Sequence, residues 1–549
     1  MIKDKKRLGV LLSVGIVLVT WFFLVGADWK NDGLWFQGDS PRHAANGIFW
    51  KDFLLSGSLN PQDYALRYYA RYPVIAPTSY PPFFYITEGA LFFAFGASPY
   101  AAKGLVLAFA LFGCFYLIAW LRRWIAADAG WEAALLLLLP GFVLWSNAIM
   151  LNVPATALAF AALYHARRWI DSHPAPAAHR HLYLSASFFV LAALTYVPVG
   201  IVAVIVLAWI LARRQWSLFW SWRTLCVGLG VAAILAPVLY IIWRWSPVHA
   251  GLTKNILYTV RVGSRWVYYM KALPDLVGPF LLVLSAFGFV LGMIRRRFRR
   301  ESFFLLLFLS VGYVALTLLG ERDHRYALLL CIPIVCYCSI GFHAAYEWLC
   351  GRLIKRRKVA VALAVSVALI VFCFQARIAA QTQIPRVQGI REVVAFMGEV
   401  APQESVFYDG PCDGVFTFYM RVADPACQRR VVLGSKLLYS SAIMPKWFYR
   451  DYVSSAEDVV QAFQTRGGCR WIAIGNDKHF NGNPAARLLR EAVRGPEFEL
   501  VRSFPLSGEG LERVDVYRFK GPVQTIDEAD LPFQVLGDGV RFKIRPIQR

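Results

Sequence analysis

The chain has 549 residues, of which 58% are hydrophobic and 15% aromatic, and its mean hydropathy is +0.47. This composition excludes an entirely soluble protein and indicates a polytopic α-helical membrane protein with room for one soluble domain. The formal net charge of +23 comes from Lys and Arg residues that lie largely in short clusters at the ends of apolar segments. Such clusters indicate membrane topology and contact with anionic membrane lipids, and no nucleic-acid partner is predicted.

Apolar segments of membrane-spanning length recur as far as residue 374, beginning with Leu8 to Gly26, which we interpret as an uncleaved span. With the basic clusters inside, the N-terminus is cytoplasmic, and the turns between clusters and the polar tail lie outside the inner (plasma) membrane. The run from Pro81 to Phe95 is short and begins with Pro-Pro, which predicts a half-depth or re-entrant helix. The count predicts about 11 to 13 crossings. The basic clusters are Arg122-Arg123, Arg167-Arg168, Arg213-Arg214, Arg295 to Arg300 and Arg352 to Lys358.

The tail has the composition of a small α/β domain, because strand-like runs alternate with amphipathic helical segments. This alternation predicts an open mixed sheet with helices on its faces. The domain boundaries are therefore predicted at residues 1–380 for the membrane domain and 381–549 for the extracytoplasmic domain. The tail contains no Gly-rich phosphate loop, so we expect no catalytic residue there. The strand candidates are Val406 to Tyr408, Arg430 to Leu433, Trp471 to Ile474 and Val514 to Tyr517.

The first polar loop brings a carboxylate, a guanidinium and an imidazole within five residues, at Asp39, Arg42 and His43. An acid in this position is a candidate general base, and the two basic side chains are candidates for orienting it. An Asp followed by Ser-Pro is also an ordinary helix N-cap with proline in the first turn. The two interpretations are compatible, because a capped helix can hold its carboxylate over a cleft.

Aromatic and basic residues follow along the same outer side. Arg71 lies among tyrosines and Tyr80 precedes Pro-Pro, a mixture that suits a sugar ring and a phosphate. An interfacial aromatic belt would have the same composition. Glu88 lies inside an apolar run, where a carboxylate must face protein or water, so a substrate contact and a structural hydrogen bond are both open.

Two later segments concentrate positive charge. A long outer loop carries His249 and Lys254 among tyrosines, which suits a lipid phosphate, although headgroup contact without chemistry fits equally well. A helix junction places His324 and Arg325 beside two acidic residues, and local ion pairing is an equally good interpretation there.

Taken in order, these features resemble the GT-C superfamily of membrane glycosyltransferases, especially its bacterial protein mannosyltransferase-like and aminoarabinose transferase-like branch. The resemblance covers about residues 1 to 380. The chain departs from the family at Ser40, Tyr80 and Asn152, where the family tends to have an acid, a Lys and an Asp. The motifs that carry the resemblance are Gly38-Asp39-Ser40-Pro41-Arg42-His43, Tyr80-Pro81-Pro82-Phe83-Phe84-Tyr85, Leu151-Asn152-Val153-Pro154 and His324-Arg325-Tyr326.

The resemblance implies an inverting transferase that moves a sugar from a polyprenyl-phosphate donor to a lipid, glycan or protein acceptor at the outer face of the membrane. Asp39 would be the catalytic base. No cofactor is predicted, and the question of a divalent metal stays open. Asn152 argues against a metal, because it is a poorer ligand than the Asp that the family tends to have. The candidate substrate-binding residues are Arg42, His43, Arg71, Tyr80, Glu88, Asn152, His249, Lys254, His324, Arg325 and Tyr326.

Two other functions fit parts of the sequence. A transporter or flippase of lipid-linked substrates would be expected to contain paired repeats with matching broken helices, and we find none. A non-catalytic receptor or scaffold would explain the tail, but it would not explain the acidic and basic residues in the outer turns.

Overall fold

The computed structural model describes the chain except residues 1, 29–30, 32–33, 35–38, 77–78, 246–264, 319–321, 353–356, 386, 443–447, 478–482, 509–510, 525–527, 532–539 and 544–549. His249 and Lys254 lie outside the described residues. The chain forms two compact units. The first consists of Met1–Trp29, Gly104–Leu239 and Gly251–Ile384, and the second of Lys30–Lys103, Tyr240–Ala250 and Pro385–Arg549.

Long apolar helices dominate the chain before the tail. Among the described residues, six are long and apolar enough to cross a membrane, or seven with a pair bent by 108° at Gly278. The predicted polytopic helical fold is confirmed, whereas the count of 11 to 13 crossings stays a prediction. The helices are α1 (Ile2–Asp28), α2 (Asp39–Ser56), α3 (Pro61–Arg71), α4 (Phe83–Phe95), α5 (Pro99–Trp124), α6 (Ala133–Leu137), α7 (Pro140–Ser146), α8 (Asn152–Ser172), α9 (His179–Ala193), α10 (Ile201–Ala212), α11 (Trp222–Trp245), α12 (Tyr268–Val277), α13 (Pro279–Ile294), α14 (Arg296–Leu318), α15 (Leu328–Arg352) and α16 (Arg357–Gln381).

The apolar run of residues 131–147 is long enough for a single crossing, but it forms two short helices, α6 and α7, that meet at Pro140. Proline lacks the N–H that an uninterrupted helix would use, and its ring clashes with the carbonyl four residues earlier. The hydrophobic pattern alone could not separate one long helix from two short ones.

The core of the first unit surrounds α8, which is buried along most of its length. The Arg167 guanidinium of α8 forms a buried ion pair with Glu301 of α14. Its central carbon also lies 4.8 Å from the ring centre of Trp120 and 4.3 Å from that of Phe304. The planar, weakly hydrated guanidinium suits such a site, because it can stack on rings and still bond a carboxylate.

In the second unit, α2 and α4 pack closely through glycines. A Cβ on Gly89 would lie 3.0 Å from the Gly47 oxygen and 3.0 Å from the Lys51 nitrogen. A Cβ on Gly47 would lie 2.2 Å from the Glu88 carboxylate. The predicted short helix after Pro-Pro therefore exists as α4, and whether it is re-entrant stays a prediction.

The tail contains the predicted mixed sheet. Its strand order is β2-β1-β5-β7-β6, with β1 parallel to β2 and β5, and with β7 antiparallel to β5 and β6. The helices are α17 (Ile390–Val400), α18 (Asp413–Val422), α19 (Gly434–Leu437), α20 (Ala456–Ala462) and α21 (Pro484–Ala492). The strands are β1 (Val406–Asp409), β2 (Val431–Leu433), β3 (Tyr439–Ala442), β4 (Phe448–Asp451), β5 (Trp471–Asp477), β6 (Phe498–Pro505), β7 (Leu511–Phe519), β8 (Glu528–Leu531) and β9 (Val540–Lys543).

The carboxyl end of β1 is a topological switch point, because the chain reaches β2 on one side of it and β5 on the other. The backbones of these strand ends approach closely: a Cβ on Gly410 would lie 2.7 Å from the Gly475 Cα. Asp409 ends β1 and is buried, with the Tyr439 hydroxyl donating to its Oδ1 at 3.3 Å. Arg490 Nη1 lies 3.8 Å from its Oδ2.

Burial raises the pKa of Asp409 to about 6, which predicts a pH dependence for the sheet. Because this pKa lies above the unfolded value of about 3.9, protonation stabilises the folded state, and that stability is lost as pH rises to 6 and above. We expect the sheet to gain about 1.4 kcal/mol from Asp409 between pH 7 and pH 5. Hydrogen exchange of β1 and β5 amides in the full-length protein measures this gain.

The matched variants for this test are Asp409→Asn, which should lose the gain, and Glu491→Gln, which removes an exposed carboxyl from α21 and should keep it. An identical pH dependence in the parent and in Asp409→Asn contradicts the prediction.

Candidate functional site

Asp39 is the first helical residue of α2, where the Asp-Ser-Pro sequence predicts a helix start. Its carboxylate Oδ1 lies 3.7 Å from Arg42 Nη1, one turn later, and the two side chains are 23% and 40% exposed. An ion pair this exposed contributes little stability. The carboxylate lies at the N-terminus of α2 and remains accessible to solvent.

His43 follows Asp39 by about one turn of α2, and its side chain is buried. Its Nδ1 forms a 2.7 Å hydrogen bond with the Tyr85 hydroxyl of α4. Its ring also meets Tyr80 edge-on, with the ring centres 5.0 Å apart. His43 and Tyr80 thus connect the Asp39 loop to the Pro-Pro segment, as two of the motifs in the sequence are brought together. A direct role of either side chain toward a substrate stays a prediction.

Glu88 lies between α2 and α4, fully buried. Neither of its carboxylate oxygens hydrogen-bonds any residue that the structure describes. A structural hydrogen bond was one of two roles considered for Glu88 from the sequence, and the residues that the structure describes do not show it. Its role as a substrate contact stays a prediction.

The C-terminal domain places an acid beside Arg42 that the sequence analysis did not identify. Asp413 begins α18 directly after the switch point of the sheet, and its carboxylate interacts electrostatically with Arg42 and Lys436. Burial raises the pKa of Asp413, and the two positive charges oppose that shift. The neighbouring Gly414 packs on Pro41, since a Cβ there would lie 2.8 Å from Pro41 Cγ. The only feature of the sequence that could have identified Asp413 is its position as an acid directly after the first strand of an α/β sheet.

Arg71 contacts the C-terminal domain rather than the Asp39 loop. Its Nη1 donates to the carbonyl oxygens of Cys427 at 3.0 Å and Gln428 at 2.8 Å. The next residue, Tyr72, donates from its hydroxyl to Asp424 at 2.5 Å. These bonds give Arg71 a structural role, and any contact with a substrate stays a prediction.

A buried network of hydrogen-bonded side chains holds α2 and α3 to α18. Arg421 of α18 forms an ion pair with Asp52 of α2 and donates from Nε to the Tyr68 hydroxyl at 2.9 Å. Tyr68 in turn donates to Asp52 at 2.9 Å, and Arg421 Nη1 bonds the Asp424 carbonyl at 2.6 Å. This network supports the surface that carries Asp39, Arg42 and Asp413.

The first unit contains a separate cluster from the later motifs. Asn152 and Arg325, with Tyr196 and Tyr326, line a cavity of about 30 Å³. The Arg325 guanidinium lies 5.4 Å from the Tyr326 ring centre, and its Nε lies 3.2 Å from Asp323 Oδ2. The local ion pairing considered for this junction is therefore present, and the same arginine also faces the cavity.

His324 lies beside this cluster, with its ring centre 5.6 Å from that of Tyr268. Arg322 stacks on the same Tyr268 ring, and its central carbon lies 5.5 Å from the ring centre. Within the part of the chain that the structure describes, no three His, Cys, Asp or Glu side chains group closely enough to hold a metal ion.

Comparison by sequence finds no protein-family model and no curated protein that matches the chain. Comparison of structures finds ArnT, an aminoarabinose transferase, from Cupriavidus metallidurans. Its apo state has a TM-score of 0.59 at 15% identity, and its state bound to undecaprenyl phosphate has 0.56 at 14%. Both alignments cover 94% of this chain and 99% of ArnT.

A second similar structure is the archaeal oligosaccharyltransferase AglB from Archaeoglobus fulgidus, in complex with an inhibitory peptide and a dolichol-phosphate. Its TM-score is 0.53 at 13% identity, over 76% of this chain and 65% of AglB. At such identities the likeness concerns the fold. The chain shares its fold with ArnT and AglB, with membrane helices followed by a C-terminal domain, as the resemblance of the sequence motifs predicts.

Proposed function

We propose that the chain is an inverting glycosyltransferase that moves a sugar from a polyprenyl-phosphate donor to an acceptor hydroxyl at the outer face of the plasma membrane. The observation that carries the proposal is Asp39, a solvent-accessible carboxylate at the start of α2 beside Arg42, in a chain with the fold of ArnT and AglB. The acceptor is a lipid, a glycan or a protein.

In the proposed reaction, Asp39 takes the proton of the acceptor hydroxyl as that oxygen attacks the anomeric carbon of the sugar. The bond between the anomeric carbon and the phosphate oxygen breaks on the opposite face, which inverts the configuration. The sugar passes through an oxocarbenium-like state, and the electron pair of the broken bond leaves with the lipid phosphate. Arg42 lies one turn later, with its Nη1 3.7 Å from the Asp39 carboxylate, where it can orient that carboxylate.

The departing phosphate gains negative charge and needs cationic donors. Arg325 is the best candidate, because a guanidinium has five N–H donors and can bond a phosphate while keeping Asp323. ArnT with undecaprenyl phosphate and AglB with dolichol-phosphate support a lipid phosphate as the ligand of this fold. The cavity beside Arg325 has a volume of about 30 Å³, so we expect side chains around it to change rotamer when a phosphate binds.

The test of the proposal uses the purified full-length protein in lipid nanodiscs with a polyprenyl-phosphate sugar labelled in the sugar. Membrane lipids, glycans and proteins of the producing cell serve as acceptors. We expect free polyprenyl phosphate and labelled acceptor to form in equal amounts. Donor that crosses the bilayer of proteoliposomes unchanged, without release of polyprenyl phosphate, would show a flippase instead.

Replacing Arg325 with Gln should weaken the binding of polyprenyl phosphate about ten- to a hundredfold, the effect of losing a hydrogen bond to a charged group. Binding of the labelled lipid phosphate to the protein in nanodiscs measures this change. Arg322→Gln removes an equal charge from the same turn and should leave the affinity within about twofold of the parent. Equal losses in both variants would contradict a specific phosphate contact at Arg325.

A further inference from the structure

A second polar cavity lies within the second unit, at the amino ends of the parallel strands. It has a volume of about 500 Å³ and opens where the chain enters β1, β2 and β5. This is the opposite end of the strands from Asp409 and the switch point. The cavity is therefore distinct from the surface that carries Asp39, Arg42 and Asp413.

The lining of the cavity is strongly cationic. It includes four arginines and one glutamate, Glu404. The arginines are Arg71, Arg430, Arg470 and Arg518. Among the described residues, no carboxylate lies within ion-pair distance of the last three, and no acceptor hydrogen-bonds their side chains. Glu404 alone cannot neutralise such a set, so the cavity has an excess of positive charge.

Arg430 is the most buried part of this positive charge to lack a partner among the described residues, because that arginine is only 8% exposed. Its Nε is buried and has no hydrogen-bond partner among the residues that the structure describes. Burial, with a contribution from the like charge of Arg71, lowers the pKa of the Arg430 guanidinium. A buried charge without a partner is costly, and the cost disappears when an anion enters and accepts its hydrogen bonds.

We propose that this cavity is a binding site for a phosphate group, held by Arg430 from below and by Arg470 and Arg518 at its rim. Guanidinium groups bond phosphate oxygens bidentately, and several of them around one cavity match a group that carries close to two negative charges. The phosphate belongs either to a soluble molecule or to a lipid headgroup. The site does not depend on the proposed sugar transfer.

The experiment measures the binding of inorganic pyrophosphate by calorimetry to the full-length protein in phosphatidylcholine nanodiscs. Arg470→Gln and Arg430→Gln should each weaken binding about ten- to a hundredfold, and the affinity of the parent should fall as salt increases. The control, Arg487→Gln, removes an exposed charge from α21, outside the cavity, and should leave the affinity within about twofold of the parent.

Absence of pyrophosphate binding by the parent, or equal affinities in Arg470→Gln and the parent, overturns the proposal. Arg430 is buried, so a misfolded Arg430→Gln leaves the decision to Arg470→Gln and Arg518→Gln, whose side chains are exposed. Nanodiscs with added phosphatidic acid identify the source. A lipid phosphate that occupies the cavity lowers the apparent pyrophosphate affinity of the parent, whereas a soluble source leaves it unchanged, and both results retain the site.

Discussion

Replacing Asp39 with Asn should reduce donor turnover by about 10² to 10⁴, with membrane insertion and donor binding unchanged. Asn has the size of Asp and can still accept a hydrogen bond at the start of α2, but it cannot take a proton. Turnover of a labelled polyprenyl-phosphate sugar by the purified variant in lipid measures the loss. Asp39→Ala is less informative, because it also costs about 1 kcal/mol at the helix start.

The matched control is Asp63→Asn, which removes an exposed acid from the first turn of α3. It should retain turnover within about twofold of the parent. Near-parental turnover in Asp39→Asn would leave Asp39 as a helix-start residue only. Asp413 would then be the remaining acid beside Arg42.

Replacing Arg421 with Met should destabilise the packing of α2 and α3 against α18 by about 3 to 5 kcal/mol. The change leaves Asp52 and the Tyr68 hydroxyl without their cationic partner in a buried site, where Asp52 is 14% exposed. Hydrogen exchange of α2 and α18 amides in the full-length protein should show the loss in both helices. Turnover should fall with it, because this packing supports the surface that carries Asp39.

The double variant Arg421→Met with Asp52→Leu distinguishes an unpaired charge from a loss of volume. Removing both charges should restore much of the stability, because well-packed apolar side chains can replace a buried ion pair at little cost. If the double variant loses as much as the two single variants together, the pair is not coupled and the network does not act as proposed. Arg487→Met, at an exposed position of α21, should change the stability by no more than about 0.5 kcal/mol.

Features that depend on a few neighbouring residues could be predicted from the sequence. The start of α2 at Asp39, the end of α4 before Gly96 and the pairing of Asp323 with Arg325 each involve at most one helical turn. The buried run at Val406 was correctly identified as a strand for the same reason, since an apolar β-branched run between turns indicates a buried strand. The edge strand β6 was not identified, because most of its residues are exposed and lack an apolar pattern.

The sequence by itself determined that this protein is a helical membrane protein with a C-terminal α/β domain. The reason is that the length and the spacing of its hydrophobic runs indicate which residues are buried away from water. It also determined that Asp39 begins a helix. Only the tertiary structure decided which side chains meet. It placed Asp413 near Arg42. It also placed the Arg71 side chain where it donates a hydrogen bond to the carbonyl of Cys427, 356 residues away. A hydrophobic period shows that a face is buried but not against what, so partners this far apart in the chain are decided by packing alone.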